Sequence, residues 1–229
     1  MRAGAAIVLA VVMSSCGAER FPTTIDIGAC DPGAGGFSTT IDNPYFPLAV
    51  GQRTILEGEE FFRDVLVRIT VLDETVTVAG IQTRVVEEYE EESGRLVEIS
   101  RNFFAQAADG TVCYFGENVD IYDSDGSVTS HAGAWRADGE RNVPGIFMPP
   151  SLQVGQAFQQ EIAPGIAEDQ AKVVALGGVT EVPAGRFEDT ATLVDVNPLD
   201  GSQGEKVYAP GIGLIVDGPA RMTSFEPGA

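Results

Sequence analysis

The chain has 229 residues, and 44% of them are hydrophobic, which is enough to bury a core and too many for a disordered chain. It carries 34 acidic residues against 14 Lys and Arg, so its formal net charge is −20. Because such a surface repels phosphate backbones, a nucleic-acid partner is excluded. The length suits one large all-β domain.

The first 15 residues have the features of a cleavable signal peptide. Arg2 supplies a positive start, and the apolar run at residues 5–12 is shorter than the roughly 20 residues that a membrane span needs. The segment Met13-Ser14-Ser15-Cys16 resembles the lipobox of bacterial lipoproteins. It departs mildly from the usual motif, which has Leu in place of Met13 and Gly or Ala in place of Ser15.

The lipobox resemblance implies that the Cys16 thiol receives a diacylglycerol and that the signal is cut just before this residue. The protein is then expected at the cell membrane or the outer membrane, anchored by lipid, with its body outside the cytoplasm. Two or three acyl chains anchor a protein stably, whereas one chain is marginal. The alternative is an ordinary secretory signal with an incidental cysteine.

Residues 16–42 are predicted to form a lipidated tether. They contain Pro22, Pro32 and four glycines between Gly28 and Gly36, without sustained periodicity, so we expect an extended or flexible segment. A single β domain is predicted from residue 43 to residue 229.

Apolar and polar residues alternate along this domain with a period of two, which is typical of half-buried strands. The clearest runs are residues 65–71, 81–90, 97–103, 171–175, 187–196 and 213–216. The turn signals are Ala79-Gly80, Ser93-Gly94, Asp109-Gly110, Asp125-Gly126 and Asp138-Gly139. Together they predict an all-β antiparallel meander that forms a β-sandwich or an open or half barrel.

Several short motifs of the domain resemble, in the same order, a group of uncharacterised bacterial exported proteins. These motifs are Asn43-Pro44-Tyr45-Phe46-Pro47-Leu48, Phe103-Phe104-Ala105-Gln106, Tyr114-Phe115-Gly116-Glu117, Pro144-Gly145-Ile146 with Met148-Pro149, Ala167-Glu168-Asp169, Val182-Pro183-Ala184-Gly185 and Tyr208-Ala209-Pro210-Gly211-Ile212-Gly213. The resemblance runs from about residue 43 to residue 217 and implies the β architecture but no reaction.

The two cysteines beyond the signal leave two alternatives. Cys30 and Cys113 would lie in an oxidising compartment, where a disulfide between them can form. No spacing rule supports that bond, and two unpaired thiols, with Cys113 buried in a strand, are the other alternative. The resembling group has Trp at the position of Cys113, which speaks against the bond.

No catalytic set, metal site or cofactor motif stands out in the sequence. His131 is the only histidine, and without a Gly-x-Ser-x-Gly elbow it is interpreted as a polar strand residue. Asp120, Asp123 and Asp125 precede Gly126 but lack the glutamate of a calcium loop, so they favour a solvated hairpin.

The densest charge run is a series of glutamates at positions 87, 88, 90, 91 and 92. At a period of two, Glu88, Glu90 and Glu92 share one face of a strand. We expect that face to be solvated, on an edge strand or a hairpin arm, where the pKa values of the carboxyl groups have little reason to differ.

Glu168 and Asp169 lie outside the alternation and are the candidates for functional carboxylates, although capping of a short helical turn is their more ordinary role. Trp135, the only tryptophan, is expected in the core, with the lining of a ligand cavity as the alternative.

The leading hypothesis is a non-enzymatic envelope lipoprotein, a binding or scaffold module for an apolar small ligand or an envelope protein. The alternative is a carboxylate-dependent hydrolase of the cell envelope. A continuous apolar cavity would favour the first hypothesis, and a cleft with convergent carboxylates of perturbed pKa would favour the second.

Overall fold

The structure is a computed structural model that describes residues 20–138 and 140–229. The predicted signal at residues 1–15, Cys16 and the first residues of the predicted tether lie outside the described residues, as does Gly139. Between residues 20 and 229, leaving out position 139, no helix has the length and apolar character needed to cross a bilayer.

The described chain consists of strands and two short 3₁₀ helices, Ile27–Cys30 and Pro32–Ala34. The strands are β1 Ile41–Asn43, β2 Phe46–Leu48, β3 Arg53–Glu60, β4 Arg63–Val78, β5 Ile81–Glu92, β6 Arg95–Gln106, β7 Val112–Tyr122, β8 Val128–Ser130, β9 Trp135–Arg136, β10 Val143–Met148, β11 Ala157–Gln159, β12 Glu161–Ile162, β13 Gln170–Val182, β14 Gly185–Val196, β15 Gln203–Ala209, β16 Gly213–Asp217 and β17 Ala220–Glu226.

Fifteen of these strands form one sheet in the order β11-β13-β14-β15-β16-β17-β3-β4-β5-β6-β7-β10-β12, with β8 and β9 paired to β7. Every neighbouring pair is antiparallel, which confirms the predicted all-β antiparallel class. The sheet is open. Since its two end strands, β11 and β12, are separated in the chain by Gln160 alone, the sheet must curve round until its ends approach each other.

This curvature gives the sheet an inner face and two ends. Because neighbouring strands are antiparallel, the turns after β3, β5, β7, β14 and β16 lie at one end, called the upper end here. The turns after β4, β6, β13 and β15 lie at the lower end. The aromatic rings of Phe104 and Tyr114 stack 4.8 Å apart on the inner face near the lower end, and Phe46 of β2 packs against Phe147 at 4.5 Å.

The hairpin turns follow the predicted chemistry. Ala79-Gly80 and Ser93-Gly94 are two-residue turns, because Val78 pairs with Ile81 and Glu92 pairs with Arg95. All four turn residues have positive φ, between 50° and 81°, as type I′ turns require. Gly110 and Gly126 also have positive φ, at 92° and 78°.

The described part of the predicted tether lies against the sheet. The Phe21 amide donates to Gln170 Oε1 at 2.8 Å, and the Thr24 amide donates to the Ala157 carbonyl at 2.8 Å. Farther along, Ser38 forms a β-bridge with Gln106. From Arg20 onwards, therefore, the segment belongs to the folded body rather than to a free leash.

A disulfide joins Cys30 to Cys113, with a Cα–Cα distance of 5.5 Å. Both cysteines are buried, Cys30 at the end of the first 3₁₀ helix and Cys113 in β7. Of the two alternatives, the structure therefore has the disulfide rather than two free thiols. The bond links the N-terminal segment to the sheet.

Candidate functional site

Acidic side chains from many strands converge on the inner face of the curved sheet. The interior carboxylate cluster consists of Glu88, Glu90, Glu98, Glu117, Glu161, Asp169, Asp195 and Asp217, with Lys206 as its cation. Glu88 of β5 and Lys206 of β15 are five strands apart along the sheet, yet the ammonium group acts on the pKa of the glutamate. The cluster therefore surrounds a common interior.

The glutamates of β5 show how the sequence builds this face. Glu88 pairs with Ile69 and Ser100, and Glu90 pairs with Val67 and with Glu98 itself. Because residues directly opposite on antiparallel strands share a face, these side chains point the same way as Val67 and Ile69. Two like charges directly opposite each other are destabilising, so the Glu90–Glu98 pair opposes folding unless a proton or another cation lies between them.

The prediction of a solvated face for Glu88 and Glu90 is wrong. Strand β5 is central, between β4 and β6, and Tyr89 lies on the opposite, outer face, where the Arg68 guanidinium stacks 4.2 Å from its ring centroid. A period of two separates the two faces of a strand but does not show which face is enclosed. Glu92, the third residue of this set, forms a 2.9 Å ion pair with Arg63.

Lys206 forms an ion pair with Asp195, with Nζ 2.9 Å from Oδ2. It is buried, and it also lies directly opposite Asp217 across β15 and β16. Burial lowers the pKa of Lys206, but the nearby carboxylates of Asp195 and Asp217 raise it by a larger amount. The net pKa of Lys206 is therefore well above its usual value. The amine is therefore charged, and it neutralises only a small part of the acidic cluster.

Glu117 and Glu161 are each 1% exposed, and neither carboxyl group forms an ion pair with a described residue. The Tyr114 hydroxyl faces Glu117, and the buried indole Nε1 of Trp135 faces Glu161. Trp135 also packs edge-on against Tyr114. Buried charges are normally paired, so these two carboxyl groups are suited to a cation that the described residues do not place beside them.

Burial is the main cause of the shifted acidities in the cluster. It raises the pKa of Glu88, Glu98, Glu161 and Asp217 to about 7. For Glu90, Glu117 and Asp169, burial and then neighbouring carboxylates raise the pKa well above the usual value. Near neutral pH the cluster therefore holds protons that solvated carboxylates would have released.

Part of the cluster is still accessible to solvent. Glu88, Glu90 and Glu98 are partly exposed, although enough protein surrounds them for burial to raise their pKa values. On the outside, a groove of about 620 Å³ between the N-terminal segment and the β12–β13 turn has Glu161 and Glu168 in its lining. Glu161 thus belongs both to the groove and to the cluster.

Glu168 and Asp169, the carboxylates singled out from the sequence, serve different sites. Glu168 accepts a 2.8 Å hydrogen bond from the Gly165 amide and pairs with Arg20 at the surface. The Gly165 amide is the main cause of its lowered pKa. Asp169 is buried in the cluster, with its Oδ1 unpartnered. No helix forms here, because residues 164–166 are a tight turn closed by the Ala163–Ala167 bridge, so helix capping was the wrong expectation.

Comparison with family models, with curated proteins and with solved structures found no match for this chain.

The remaining candidates have local structural roles. Asp123 Oδ1 accepts hydrogen bonds from the amides of Asp125 at 2.9 Å and Ser127 at 3.0 Å, so this loop is the expected hairpin. His131 follows β8, and its Nδ1 lies 2.9 Å from Asp120 Oδ1. In the described parts of the chain, no three His, Cys, Asp or Glu side chains are grouped in a way that could hold a metal ion.

The cluster itself was missed at the sequence level. Its members are spread from position 88 to position 217, and only the Glu88–Glu90 pair lies in a conspicuous run. One feature of the sequence could have indicated the cluster: glutamates occupy both faces of β5, which lies between β4 and β6. Both faces of a central strand are rarely solvated, so one set of these glutamates should be enclosed.

Proposed function

We propose that this protein is an exported, lipid-anchored binding protein of the cell envelope that holds a positively charged small molecule inside its curved sheet. The observation that carries the proposal is the pair Glu117 and Glu161, two buried carboxyl groups that form no ion pair with a described residue. An uncompensated buried carboxylate is costly, and a bound cation supplies the compensation that protons otherwise supply.

The ligand class follows from the arrangement of the acidic groups. The carboxyl groups come from β5, β6, β7, β12, the start of β13, β14 and β16, so they face the interior from many sides. Several N–H donors on one organic ammonium or guanidinium compound match such a spread. Ile69, which is partly exposed on the same face as Glu88, adds apolar surface for the carbon skeleton of the ligand. The acidic lining favours a cationic ligand over the purely apolar one expected from the sequence.

Calorimetric titration of the purified full-length chain tests this proposal. Putrescine, spermidine and calcium chloride serve as separate probes, at a salt concentration of about 0.15 M. We expect saturable binding of an amine probe. The heat should change with the ionisation enthalpy of the buffer, because the amine displaces protons from carboxyl groups whose pKa is about 7.

A matched pair of double variants locates the binding site. Glu98→Gln with Glu161→Gln should weaken amine binding at least about tenfold, which corresponds to about 1.4 kcal/mol. Glu57→Gln with Glu205→Gln removes the same charge from exposed positions and should leave the affinity within about twofold. Absence of amine binding, binding of calcium alone, or equal losses in the two double variants would each refute the proposal.

The lipid anchor has a separate test. Expressed in a bacterial host, the protein should label with a fatty-acid probe and partition into detergent, and Cys16→Ala should abolish both. Equal labelling of the variant would show that Cys16 carries no lipid.

A carboxylate-dependent hydrolase is the second candidate, because convergent carboxylates of perturbed pKa are the feature that the sequence analysis associates with it. A pKa of about 7, which Glu98 and Glu161 have, also suits a general acid or base. Glycoside cleavage, however, needs one protonated and one ionised carboxyl group flanking the bond, and burial raises the pKa of both members of the Glu90–Glu98 pair. Release of product from glycoside or ester substrates, lost in Glu98→Gln, would favour this candidate over a binding protein.

A further inference from the structure

The turn between β3 and β4 exposes two phenylalanines that the fold does not need. Glu60 pairs with Arg63, so Phe61 and Phe62 are the two central residues of a tight hairpin. Their side chains are 67% and 97% exposed. Both have positive φ, 49° and 63°, the left-handed conformation that bulky side chains rarely adopt.

The same sheet contains an internal comparison. Its other two type I′ turns are built from Ala79-Gly80 and Ser93-Gly94, small residues with glycine second. Of these three hairpins, only the one between β3 and β4 combines an unfavourable backbone conformation with two exposed aromatic rings. Strain retained at an exposed site, without a packing reason, points to a contact outside the molecule.

The position of the turn indicates what that contact is. The β3–β4 turn lies at the upper end of the sheet, together with the β12–β13 turn and the β14–β15 turn. The β12–β13 and β14–β15 turns, at the same end of the sheet, also expose apolar side chains, Ile166 at 39% and Leu199 at 40%. Arg20, the first described residue, pairs with Glu168 at this same end.

The chain before Arg20 sets a limit on distance. Cys16 is four residues earlier, so the length of the chain keeps its Cα within roughly 14 Å of the Cα of Arg20. If Cys16 carries lipid, as proposed above, the upper end must lie close to the membrane surface. Exposed aromatic rings at such a position are suited to the interface between headgroups and acyl chains.

We propose that the upper end of the sheet rests on the lipid bilayer, with Phe61 and Phe62 inserted at the interface as a second contact beside the lipid on Cys16. The inference rests on the proposed lipid anchor but not on the identity of the interior ligand. Glu59, Glu60 and Asp64 flank the turn, so the contact suits neutral headgroups better than anionic ones.

Fluorescence quenching in vesicles tests the contact. The lipidated full-length protein is reconstituted in phosphatidylcholine vesicles with brominated acyl chains, as F62W and, for control, as V154W. Val154 is 63% exposed in the turn that enters β11 from the end opposite the β12–β13 turn. Trp135 is buried and contributes the same background to both variants.

We expect the emission of F62W to shift to shorter wavelength and to lose most of its intensity to bromolipid, while V154W changes little. Equal quenching in both variants would overturn the proposal. So would a shift in F62W without quenching, since a protein pocket rather than lipid would then cover the turn. Failure of the protein to float with vesicles would refute the anchor and this inference with it, whereas amine titration reports separately on the interior site.

Discussion

Lys206 is the single cation of the interior carboxylate cluster, and its loss leaves Asp195 buried without a charged partner. We expect Lys206→Met to lower the free energy of unfolding by about 3–5 kcal/mol at neutral pH, because removing one partner exposes the full desolvation cost of the other. Urea unfolding measures the change. The control is Lys172→Met, whose amine lies 5.5 Å from the Phe21 ring centroid and should contribute less than about 1 kcal/mol. Equal effects of the two substitutions would contradict this role for Lys206.

Phe61 and Phe62 offer a second test at the residue scale. Phe61→Asn with Phe62→Gly places at this type I′ turn the residues that it favours. We expect the free energy of unfolding to rise by about 1–2 kcal/mol, since the left-handed conformation no longer carries bulky side chains. Ser93→Asn is the control, because Gly94 already occupies the second position there and the gain should be small. A loss of stability in the double variant would mean that the rings pack against the protein after all.

At the scale of elements, the N-terminal segment behaves as part of the sheet. It supplies hydrogen bonds to β11 and to the start of β13, and the disulfide spans 83 residues of sequence. The segment also forms one wall of the groove that reaches Glu161. Its attachment therefore bears on the interior site as well as on stability.

Reduction of the Cys30–Cys113 bond tests this attachment. We expect dithiothreitol to lower the free energy of unfolding by about 2–5 kcal/mol and to speed amide exchange at Thr24, because a closed loop of this length restricts the unfolded chain. Cys30→Ala should start from the lower value and show no response to the reductant. A native protein that is unaffected by reduction would mean that the bond contributes nothing to stability.

At the scale of the whole molecule, the cluster predicts an unusual dependence of stability on pH. The pKa of Glu88, Glu98, Glu161 and Asp217 is about 7 in the folded protein, above the values of 4.5 for Glu and 3.8 for Asp. At a pH between the lower, unfolded pKa values and the folded pKa of about 7, the folded state holds protons that the unfolded state has released. The stability that these four groups contribute is therefore highest at acidic pH and is lost as the pH rises to about 7.

Thermal unfolding at a series of values from about pH 5 to about pH 8 measures this dependence. Each carboxyl group of this kind removes about 1.4 kcal/mol per pH unit within its window. The Glu98→Gln with Glu161→Gln variant should show a flatter profile, and a bound amine should protect the native protein at the alkaline end. A midpoint that rises from pH 5 to pH 8 would contradict the raised pKa values.

Elements that depend on local physics could be predicted from the residues alone. Alternation with a period of two predicted the strands, and Ala79-Gly80 and Ser93-Gly94 predicted the turns that join them, because positive φ is a property of the residues in the turn. The hairpin at Asp123 to Ser127 follows from the short acceptor side chain of Asp123 in the same way. The all-β antiparallel class is a consequence of these local preferences. The turn at Phe61-Phe62 has no such signal, which is why its conformation could not be predicted.

The environment of each face of a strand depends on how the whole sheet folds. Glu88 and Glu90 lie inside because β5 is central in a sheet that curves back on itself, whereas their alternation alone is equally compatible with solvent. For the same reason, neighbours such as Glu168 and Asp169 belong to different sites, and residues as distant as Glu90 and Asp217 belong to one. The pairing of Cys30 with Cys113 also depends on the path of the segment across the sheet. Burial and long-range charge are sums over the surrounding chain, so they exist only once the strands have been brought together.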